Sequence, residues 1–324
     1  MQKKSRITGI GSALVDILIN ESDEFLISLG KEKGGMTLVE DKDIQKILSA
    51  SEQKPFVVPG GAACNTIVGV ANLGGDARFI GKRGNDSYGE NFEHELVQSN
   101  VEPLVSTSSS PTGKVLSIIT PDAQRSMFTF LGASTELDPE SITSDMFKET
   151  AITMIEGYLL FNKNLMMASL IAAKAAGSLI ALDLASFEVV NASKEIIDNI
   201  VNEYVDILIA NEDEAKAYTG FQDEYKAIEK MSLNVNYAVL KVGKEGSFVA
   251  HNNNITKITP QTGKAPQDTT GAGDLWAAGF LFGLANEFSI EKSGQIASAC
   301  GYEVCQVMGA HLPDNAWARI KKLI

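Results

Sequence analysis

The chain has 324 residues, 44% of them hydrophobic and 21% charged, which is typical of a globular protein large enough to bury a substantial core. Its formal net charge of −13 argues against a nucleic-acid partner but is compatible with a small phosphate ligand held by backbone amides. Three irregularly spaced cysteines argue against a disulfide framework or zinc site, and the apolar runs are too short to span a bilayer, so we expect a cytoplasmic protein without a membrane partner.

The N-terminal part of the chain alternates short apolar runs with segments of helical periodicity. The apolar runs predict strands over Arg6–Ile10, Asp16–Ile19, Phe56–Val58 and Arg78–Ile80. Apolar residues at helical spacing predict helices over Asp41–Ala50, Ala63–Leu73 and Tyr88–Gln98. Asp41 can cap the first of these helices, and the Gly74-Gly75 pair suits the end of the second.

The middle of the chain differs, and the alternation then returns. Lys114–Thr120 and Ser126–Leu131 are predicted to pair as strands around a turn at Pro121-Asp122. Further strands are predicted over Ile152–Ile155, Leu179–Leu182, Ile207–Ile209 and Ala238–Val242. Helices are predicted over Leu165–Ala176, Lys194–Val201 and Glu212–Thr219, and the chain from Gly273 onward is predicted to be mostly helical.

Strands that alternate with helices predict an α/β fold with a mostly parallel central sheet covered on both faces. Two stretches, near residues 12–40 and 112–131, do not follow this alternation, and we expect them to form a small separate sheet. No internal repeat, low-complexity tract or proline-rich linker divides the sequence. The sequence therefore predicts a single domain over residues 1–324, with a lid built from those two stretches.

The run DTTGAGDLWAAG over residues 268–279 is the most informative segment. Its Gly-Ala-Gly turn opens an amphipathic helix, whose unpaired first-turn N–H groups form an anion site together with the helix dipole. Asp274 would lie beside the anion, where a carboxylate can accept the proton of an attacking hydroxyl. Asp268 adds a second carboxylate on the same loop. A glycine turn followed by an aspartate, taken alone, would indicate only a capped helix start.

The full run resembles the C-terminal signature of the PfkB, or ribokinase-like, family of carbohydrate and nucleoside kinases. The resemblance implies an ATP-dependent phosphotransferase in which Asp274 is the catalytic base. It implies that the backbone of Gly271, Ala272 and Gly273 forms an anion hole for the developing charge. It also implies a ribokinase-like three-layer α/β/α domain with a mostly parallel central sheet and a small β-sheet lid.

The run PGGAACNT over residues 59–66 resembles the family's substrate loop, in which Gly60, Gly61 and Asn65 would bind the acceptor. The residue types agree, because the glycines allow a close backbone approach and the Asn65 amide offers donors and an acceptor to a diol. The run GSALVD over residues 11–16 resembles the family's first strand and implies that Ser12 and Asp16 belong to the same acceptor site. A carboxylate can accept two hydroxyl hydrogen bonds at once, which suits a ribose diol.

Two weaker elements follow in the family's order on the nucleotide side. Asn211 and Glu214 match an Asn-x-x-Glu element that helps to place Mg²⁺ and phosphates, with Glu214 acting through water. Lys241, Gly243 and Gly246 match a strand and a Gly-x-x-Gly turn beside ATP, although many members carry Thr in place of Lys241. An acidic first helical turn and a solvent-facing lysine would explain the same residues without any ligand.

The resemblance implies ATP and Mg²⁺ as cofactors and assigns Asp268 to the nucleotide side. It further implies a monovalent cation such as K⁺ near Asp268 and Thr270, with carbonyl donors near Val304, Val307 and Gly309. Lids in this family either close alone or exchange contacts in a dimer, so both a monomer and a homodimer stay open.

Two stretches are similar to the adenosine-kinase-like branch of the family: RSMFTFLGA over residues 125–133 and IEGYL over residues 155–159. They imply a nucleoside acceptor, adenosine-like, phosphorylated on its primary hydroxyl to the 5′-monophosphate. Phe128 could wall an aromatic base or could only pack the lid. Ser12 stands where animal adenosine kinases carry Asn, so a free sugar such as ribose or fructose is kept as the alternative acceptor.

Other classes of protein fit the sequence less well. Gly9-Ile10-Gly11 follows a predicted strand as in a dinucleotide-binding fingerprint, but Leu14 replaces the third glycine and a strand follows instead of a helix. No Gly-x4-Gly-Lys-Ser/Thr run is present in the sequence. A non-catalytic nucleotide-binding or sugar-binding relative is the remaining alternative, and the presence of Asp274 argues against it.

Overall fold

The computed structural model describes residues 5–30, 33–122 and 124–324. Residues 31–32 and 123, which belong to the two stretches predicted to build a lid, lie outside the described residues. The strands are β1 (Arg6–Ile10), β2 (Leu14–Asn20), β3 (Met36–Leu38), β4 (Phe56–Gly60), β5 (Ala77–Gly84), β6 (Val101–Ser108), β7 (Gly113–Ile119), β8 (Arg125–Phe130), β9 (Thr150–Glu156), β10 (Leu179–Asp183), β11 (Ile207–Asn211), β12 (Tyr237–Lys241), β13 (Ser247–His251) and β14 (Asn254–Ile258).

The α-helices fill most of the connections between these strands. They are α1 (Asp23–Ser28), α2 (Asp41–Ala50), α3 (Ala62–Asn72), α4 (Ser87–Gln98), α5 (Lys163–Ala175), α6 (Phe187–Ala192), α7 (Lys194–Tyr204), α8 (Glu212–Thr219), α9 (Glu224–Met231), α10 (Ala272–Ala285), α11 (Ile290–Val304) and α12 (Asp314–Ile320). Side-chain caps satisfy several of their first-turn amides: Asp86 accepts from Gly89 N at the start of α4. No helix of the described residues has the length and apolarity needed to cross a bilayer.

The larger sheet has the strand order β14-β13-β12-β11-β10-β9-β1-β5-β6. The strands from β12 to β6 run parallel, whereas β13 and β14 are antiparallel additions at one edge. Parallel strands require crossover connections, and the helices between successive strands supply them. The predicted mostly parallel central sheet is confirmed.

Helices cover both faces of this sheet, as near-continuous apolar strands require. Alternate residues of β10 show the division, because Ala181 belongs to one apolar core and Ile180 and Leu182 belong to the other. The first core includes residues of α3, α4, α10 and α11, and the second includes residues of α5, α7, α8 and α9. The predicted three-layer α/β/α arrangement is confirmed.

A smaller sheet with the order β3-β8-β7-β2-β4 stands beside the larger one. Four of its strands come from the two predicted stretches, but β4 pairs antiparallel with β2 and lies outside both. Since strand side chains alternate between faces, Phe128 packs in the core while its neighbours Met127 and Thr129 face a cavity. The two faces of this sheet therefore serve different purposes.

Helices α3 and α10 meet closely on the first face of the larger sheet. A Cβ added at Gly69 of α3 would lie only 2.6 Å from the Cβ of Ala278, so a larger residue would push the helices apart. This contact brings the N-terminus of α3, which follows the 59–61 loop, next to the N-terminus of α10. The two most specific sequence motifs consequently become neighbours.

Candidate active site

Polar residues collect where the parallel strands of the larger sheet end. Ser12 follows β1, and Glu156, Asp183, Asn211 and Lys241 are the last residues of β9, β10, β11 and β12. Ligands of open α/β sheets bind outside these carboxyl ends. All five residues line one cavity of about 1000 Å³.

The cavity has a second wall formed by one face of the smaller sheet. Leu38, Thr129, Val115 and Asp16 occupy one row across its strands and line the cavity together. The floor between the two walls includes Gly61, Gly273 and Asp274. The cleft therefore brings the acceptor-side and phosphate-side motifs of the sequence to one volume.

Asp274 lies in the first turn of α10 and is held by α3. Asn65 Nδ2 donates to Asp274 Oδ2 at 2.9 Å, and Thr66 Oγ1 donates to the Asp274 carbonyl oxygen at 3.2 Å. Burial raises the pKa of Asp274 to about 7, against the lowering effect of the Asn65 hydrogen bond. A carboxyl poised near neutral pH suits proton transfer in either direction.

The turn before α10 leaves backbone donors unpaired. Gly271 adopts a left-handed conformation with φ of 71°, and the Ala272 N–H donates to the Thr269 carbonyl at 3.2 Å. The N–H groups of Gly273 and Asp274 have no acceptor within the described part of the chain. The Gly271 N–H likewise has no acceptor among the described residues, and Gly273 and Asp274 are the two residues of this turn that line the cavity. The anion hole predicted at Gly271, Ala272 and Gly273 stays a prediction.

Asp16 enters the cavity from β2 with neither carboxyl oxygen hydrogen-bonded to another described residue. Burial, followed by the neighbouring Asp274 carboxylate, raises the pKa of Asp16 to about 7, and Arg125 works in the opposite direction. A Cβ at Gly60 would lie 2.4 Å from the Asp16 Cγ, so only glycine permits this approach. Unused acceptors of this kind suit the hydroxyl groups of a ligand.

Gly61 closes the acceptor side of the cavity. It is the N-cap of α3 with φ of 98°, and a Cβ there would lie 2.3 Å from the Ser12 carbonyl oxygen. Both the backbone conformation and the close approach require glycine. Asn65, one turn further along α3, donates to Asp274 through Nδ2, and its predicted contact with the acceptor stays a prediction.

Glu156 was absent from the predicted site residues, yet it organises the acceptor side. Its Oε1 accepts from Ser12 N at 2.7 Å and from Ser12 Oγ at 2.6 Å, and its Oε2 accepts from Ala63 N at 3.2 Å. Burial raises its pKa even though these hydrogen bonds lower it. Glu156 therefore ties β1 and α3 together beneath the cavity, and an acid ending the apolar run at 152–155 was the available signal.

On the nucleotide side, Lys241 Nζ donates to Asp183 Oδ2 at 2.8 Å across the intervening strand β11. Asn211 and Glu214 form a reciprocal capping box at the start of α8, in which both Glu214 oxygens accept from Asn211. Burial and then Asp183 raise the pKa of Glu214. Asp183 was also absent from the predicted site.

Asp268 supports the loop that precedes α10. Its Oδ1 accepts from Thr270 N at 3.0 Å and Thr270 Oγ1 at 2.7 Å, and its Oδ2 accepts from Gly309 N at 2.8 Å. The Arg125 Nε of β8 lies 3.4 Å from Asp268 Oδ1. These hydrogen bonds lower the pKa of Asp268 despite its burial. The predicted K⁺ near Asp268 and Thr270 stays a prediction, and in the structure the cation beside Asp268 is the Arg125 guanidinium.

Nine predicted site residues are not among those that line the cavity: Gly60, Asn65, Phe128, Gly243, Gly246, Asp268, Thr270, Gly271 and Ala272. Phe128 is only 1% exposed and faces the core side of the smaller sheet, because strand alternation turns it away from the cleft. Gly243 and Gly246 lie in the turn between β12 and β13, where a Cβ at Gly246 would contact the Ile258 carbonyl and Pro260. The predicted contact of Gly243 and Gly246 with ATP therefore lies outside the set of residues that line the cavity.

No group of three or more His, Cys, Asp or Glu side chains in the described ranges has the arrangement of a metal site. Glu214 is already engaged by Asn211 through both oxygens, so its contact with Mg²⁺ would run through water. Mg²⁺ keeps several waters and binds with substrate phosphates, which fits this sparse set of donors.

The comparisons with known proteins agree with this architecture. Residues 24–317 match the family model described as pfkB family carbohydrate kinase. The chain is similar to a probable fructokinase-7 of Arabidopsis thaliana, with 29% identity over 86% of this chain and 84% of that protein.

Two solved structures are also similar. A probable sugar kinase from Rhizobium etli CFN 42 has a TM-score of 0.90 and 27% identity, and the match covers 100% of both chains. An adenosine kinase from Sinorhizobium meliloti has a TM-score of 0.87 and 31% identity, and the match covers 98% of both chains. Because the family model spans most of the chain and a relative above 30% identity is matched almost end to end, this chain belongs to the pfkB family of carbohydrate kinases.

Proposed function

We propose that this kinase transfers the γ-phosphoryl group of ATP to the primary 5′-hydroxyl of a nucleoside such as adenosine. One observation carries the proposal: Asp274, next to two unpaired amides, lines the same cavity as the unpaired carboxylate of Asp16. A base, an anion site and a diol acceptor are the three groups that such a transfer requires. Family membership supports the phosphotransferase chemistry.

Each group has a distinct role in the proposed reaction. Asp274 accepts the proton of the attacking hydroxyl, while the Gly273 and Asp274 amides bind the transferring phosphoryl oxygens. Asp16 and the Gly60-Gly61 backbone bind the sugar hydroxyls, and Glu156 positions Ser12 and α3. Mg²⁺ bound with ATP would neutralise charge on the phosphate oxygens, and Glu214 would contact it through water.

The nucleoside acceptor is supported by the apolar rim of the cavity, defined by Met36, Leu38, Met127, Leu131, Tyr158 and Phe161. Leu38 and Phe161 are each 63% exposed and Met36 is 54% exposed, so these side chains present apolar surface without cover. A flat aromatic base can pack against such side chains, whereas the hydroxyls of a free sugar cannot. The similarity to the Sinorhizobium meliloti adenosine kinase points the same way.

The smaller sheet carries most of this rim and forms the proposed lid. Closure over the bound acceptor would bury the rim and exclude water, which otherwise competes with the acceptor hydroxyl. The single domain with a lid is therefore part of the proposal, and its strands now include β4 as well as those of the two predicted stretches.

A free sugar is the second candidate acceptor. The similarity to a probable fructokinase and to a probable sugar kinase favours it. In that reaction Asp274 and Asp16 would keep the same roles, and the apolar rim would pack against itself on closure. The two candidates therefore differ only in what covers the rim.

An acceptor screen separates them. Purified enzyme with ATP and Mg²⁺ is given adenosine, guanosine, uridine, ribose or fructose, and ADP release is measured with the Asp274→Asn variant as background. We expect kcat/KM for adenosine to exceed that for ribose or fructose by at least about 100-fold, because one well-packed base contributes several kcal/mol. Equal or greater turnover of a free sugar would contradict the nucleoside assignment, and no turnover of any acceptor would contradict the kinase itself.

A further inference from the structure

The ion pair between Lys241 and Asp183 lies at the phosphate end of the cavity. The two residues end β12 and β10, and their side chains are only 14% and 11% exposed. Both line the cavity together with Gly273 and Asp274. Burying an ion pair costs desolvation free energy. A nearly buried lysine–aspartate pair that lines a ligand cavity therefore indicates a functional role more strongly than an ion pair on the surface does.

The position of the Lys241 ammonium is fixed relative to the turn before α10. A Cβ built on Gly273 would lie 3.1 Å from Lys241 Nζ, so the ammonium stands directly against the open side of that glycine. The Gly273 and Asp274 amides have no acceptor among the residues described. One cation and two amide donors therefore border the same small volume.

The charge of Lys241 is set by its neighbours. Burial disfavours the ammonium, but Asp183, Glu214 and Asp274 together raise the pKa of Lys241 above its usual value. Lys241 is therefore charged at neutral pH. Lys241 in turn lowers the pKa of Asp274, which is otherwise raised by burial, so the ammonium favours the ionised base.

We propose that Lys241 is a catalytic residue that contacts the transferring phosphoryl group, and that Asp183 is the residue that positions it. This inference rests on the proposed function. The acceptor oxygen forms a bond to the γ-phosphorus while the bond from phosphorus to the bridging oxygen breaks. The electron pair of the broken bond leaves with ADP, and the hydroxyl proton goes to Asp274. Lys241 stabilises the negative charge on the equatorial oxygens during this exchange.

Asp183 fixes the direction of the lysine. A free lysine side chain has four rotatable bonds and loses much entropy when it is ordered. The Asp183 carboxylate accepts a hydrogen bond from Nζ at 2.8 Å, so the protein's own contact restricts the lysine side chain. Preorganised charge is the form of electrostatic stabilisation that lowers a barrier most.

The test compares Lys241→Met, Lys241→Arg and Asp183→Asn with a matched control. Lys174 and Asp206 form a similar lysine–aspartate pair, at 2.6 Å, just before β11 begins, at the end of the strand away from the cavity. Lys174→Met therefore reports the effect of breaking a partly buried pair away from the cleft. For each variant we would measure kcat, both KM values, the melting temperature and the pH profile of kcat/KM.

We expect Lys241→Met to lower kcat by about 10²- to 10³-fold, as loss of one oxyanion donor does elsewhere, with KM for the acceptor nearly unchanged. The acid limb of its pH profile should move to higher pH, because Asp274 loses a neighbouring cation. Lys241→Arg should have a kcat at least about tenfold higher than that of Lys241→Met, and Asp183→Asn should lower kcat roughly tenfold. Lys174→Met should change kcat by less than about twofold while lowering the melting temperature comparably.

A binding measurement keeps the proposal testable if a variant turns over too slowly. Calorimetric binding of ADP with aluminium fluoride, a mimic of the transferring phosphoryl group, should weaken at least about tenfold in Lys241→Met while ADP alone binds as before. Equal binding of the mimic, or retention of a third of kcat in a folded Lys241→Met, would overturn the role of Lys241. If Asp274→Asn abolishes transfer in that same case, the proposed kinase reaction stands and only this inference fails.

Discussion

Asp274 combines two features that rarely occur together at a helix N-terminus. A first-turn aspartate is ordinarily solvated and stabilised by the helix dipole, but this one is half-buried beside Asp16 and Asp183. If it is the base, replacement by the isosteric Asn should remove nearly all phosphoryl transfer, with nucleotide binding preserved. A steady-state ADP-release assay measures the first effect and calorimetry with ATP the second. More than about a tenth of the original kcat would exclude general-base catalysis as a major contribution.

The pKa of Asp274 gives the expected pH dependence of the reaction. Burial raises this pKa to about 7, and the base must be ionised to accept a proton. With the pKa values of Asp274 and Asp16 both near 7, kcat/KM should be constant above pH 8 and fall by at least about tenfold per pH unit well below pH 7. A profile from pH 5 to pH 9 in a constant-ionic-strength buffer measures it. An unchanged rate down to pH 5 would show that the reactive carboxyl titrates in the ordinary aspartate range.

A variant at Asp16 tests acceptor binding separately from phosphoryl transfer. Its oxygens have no hydrogen-bond partner among the described side chains and backbone groups, so they are available to a diol. Asp16→Ala should raise KM for the acceptor by at least about tenfold while KM for ATP changes little, since two charge-assisted hydrogen bonds are lost. The variant is assayed at saturating ATP over a range of acceptor concentrations. An unchanged acceptor KM would remove Asp16 from the binding site.

At this scale the sequence named cavity-lining residues from long motifs and also from short ones such as Asn211-x-x-Glu214, but it did not assign Glu156 or Asp183 to the site. Asp274, Asp16 and Gly61 were named because each lies in a run of six or more informative positions. Glu156 was quoted only within the IEGYL stretch and was given no role there, and Asp183 is a single acid at the end of an apolar strand, a pattern that a solvated strand end also gives. Only the parallel pairing of β9 and β10 places Asp183 beside Glu156, and that pairing cannot be read from either segment alone.

One ion pair joins the smaller sheet to the loop before α10. Arg125 at the start of β8 reaches Asp268 on the loop before α10, and both side chains are largely buried. Asp268 also orders that loop through Thr270 and Gly309. The smaller sheet is therefore linked to the loop before α10, and we expect a movement of one to displace the other.

Arg125→Gln should loosen this loop. We expect faster hydrogen exchange of the amides from Gln267 to Thr270 and a fall in kcat of about tenfold, because the loop precedes the amides that we propose to bind the phosphoryl group. Arg6→Gln is a suitable control, since Arg6 pairs with Asp76 and Glu102 with a similar side-chain exposure of 17%. Equal exchange in the two variants at residues 267–270 would show that the Arg125 contact does not order the loop.

The bounds of the helices and strands show which local sequence patterns were sufficient to predict them. Helix α2 forms over Asp41–Ala50 as predicted, because its apolar spacing and acidic first turn agree. Strand β6 was missed since it is an edge strand that contains Pro103 and several polar residues. The β13–β14 hairpin was also missed, although Asn252 and Asn253 have positive φ angles of 50° and 62°, as tight hairpin turns favour. Their Asn-Asn sequence was the signal available.

For the whole molecule, the order of motifs was more predictive than any single one. Regular alternation of strands and helices specified the α/β class, because a parallel sheet requires a crossover after every strand. The smaller sheet was predicted only in part, since β4 joins β2 through a pairing that no local pattern encodes. Long-range pairing is decided by which apolar faces remain to be covered once the main sheet has formed.

The carboxyls of the cleft should also govern the pH dependence of stability. Asp16 and Asp274 have pKa values of about 7 in the fold and near 3.8 when exposed, so the folded state binds their protons more tightly. Between pH 4 and pH 7 unfolding therefore releases protons, and the stability that these groups contribute is lost as the pH rises through 7. The melting temperature should consequently fall from pH 5.5 to pH 8 in buffer with EDTA and no nucleotide.

Asp274→Asn should remove part of this penalty. At pH 8 the variant should be more stable than the original protein by about 2 kcal/mol, or a few degrees in melting temperature, because a buried carboxylate is replaced by a neutral amide. At pH 5.5 the difference should be about half as large, and it should vanish only below about pH 4, since the carboxyl is then protonated in the unfolded chain as well as in the fold. Asp76→Asn, on the exposed Arg6 pair, is the control that should leave the pH slope unchanged. A variant that is less stable at pH 8 would mean that the ionised carboxylate is stabilised by its surroundings, and the raised pKa from which the pH profile of catalysis is derived would be wrong.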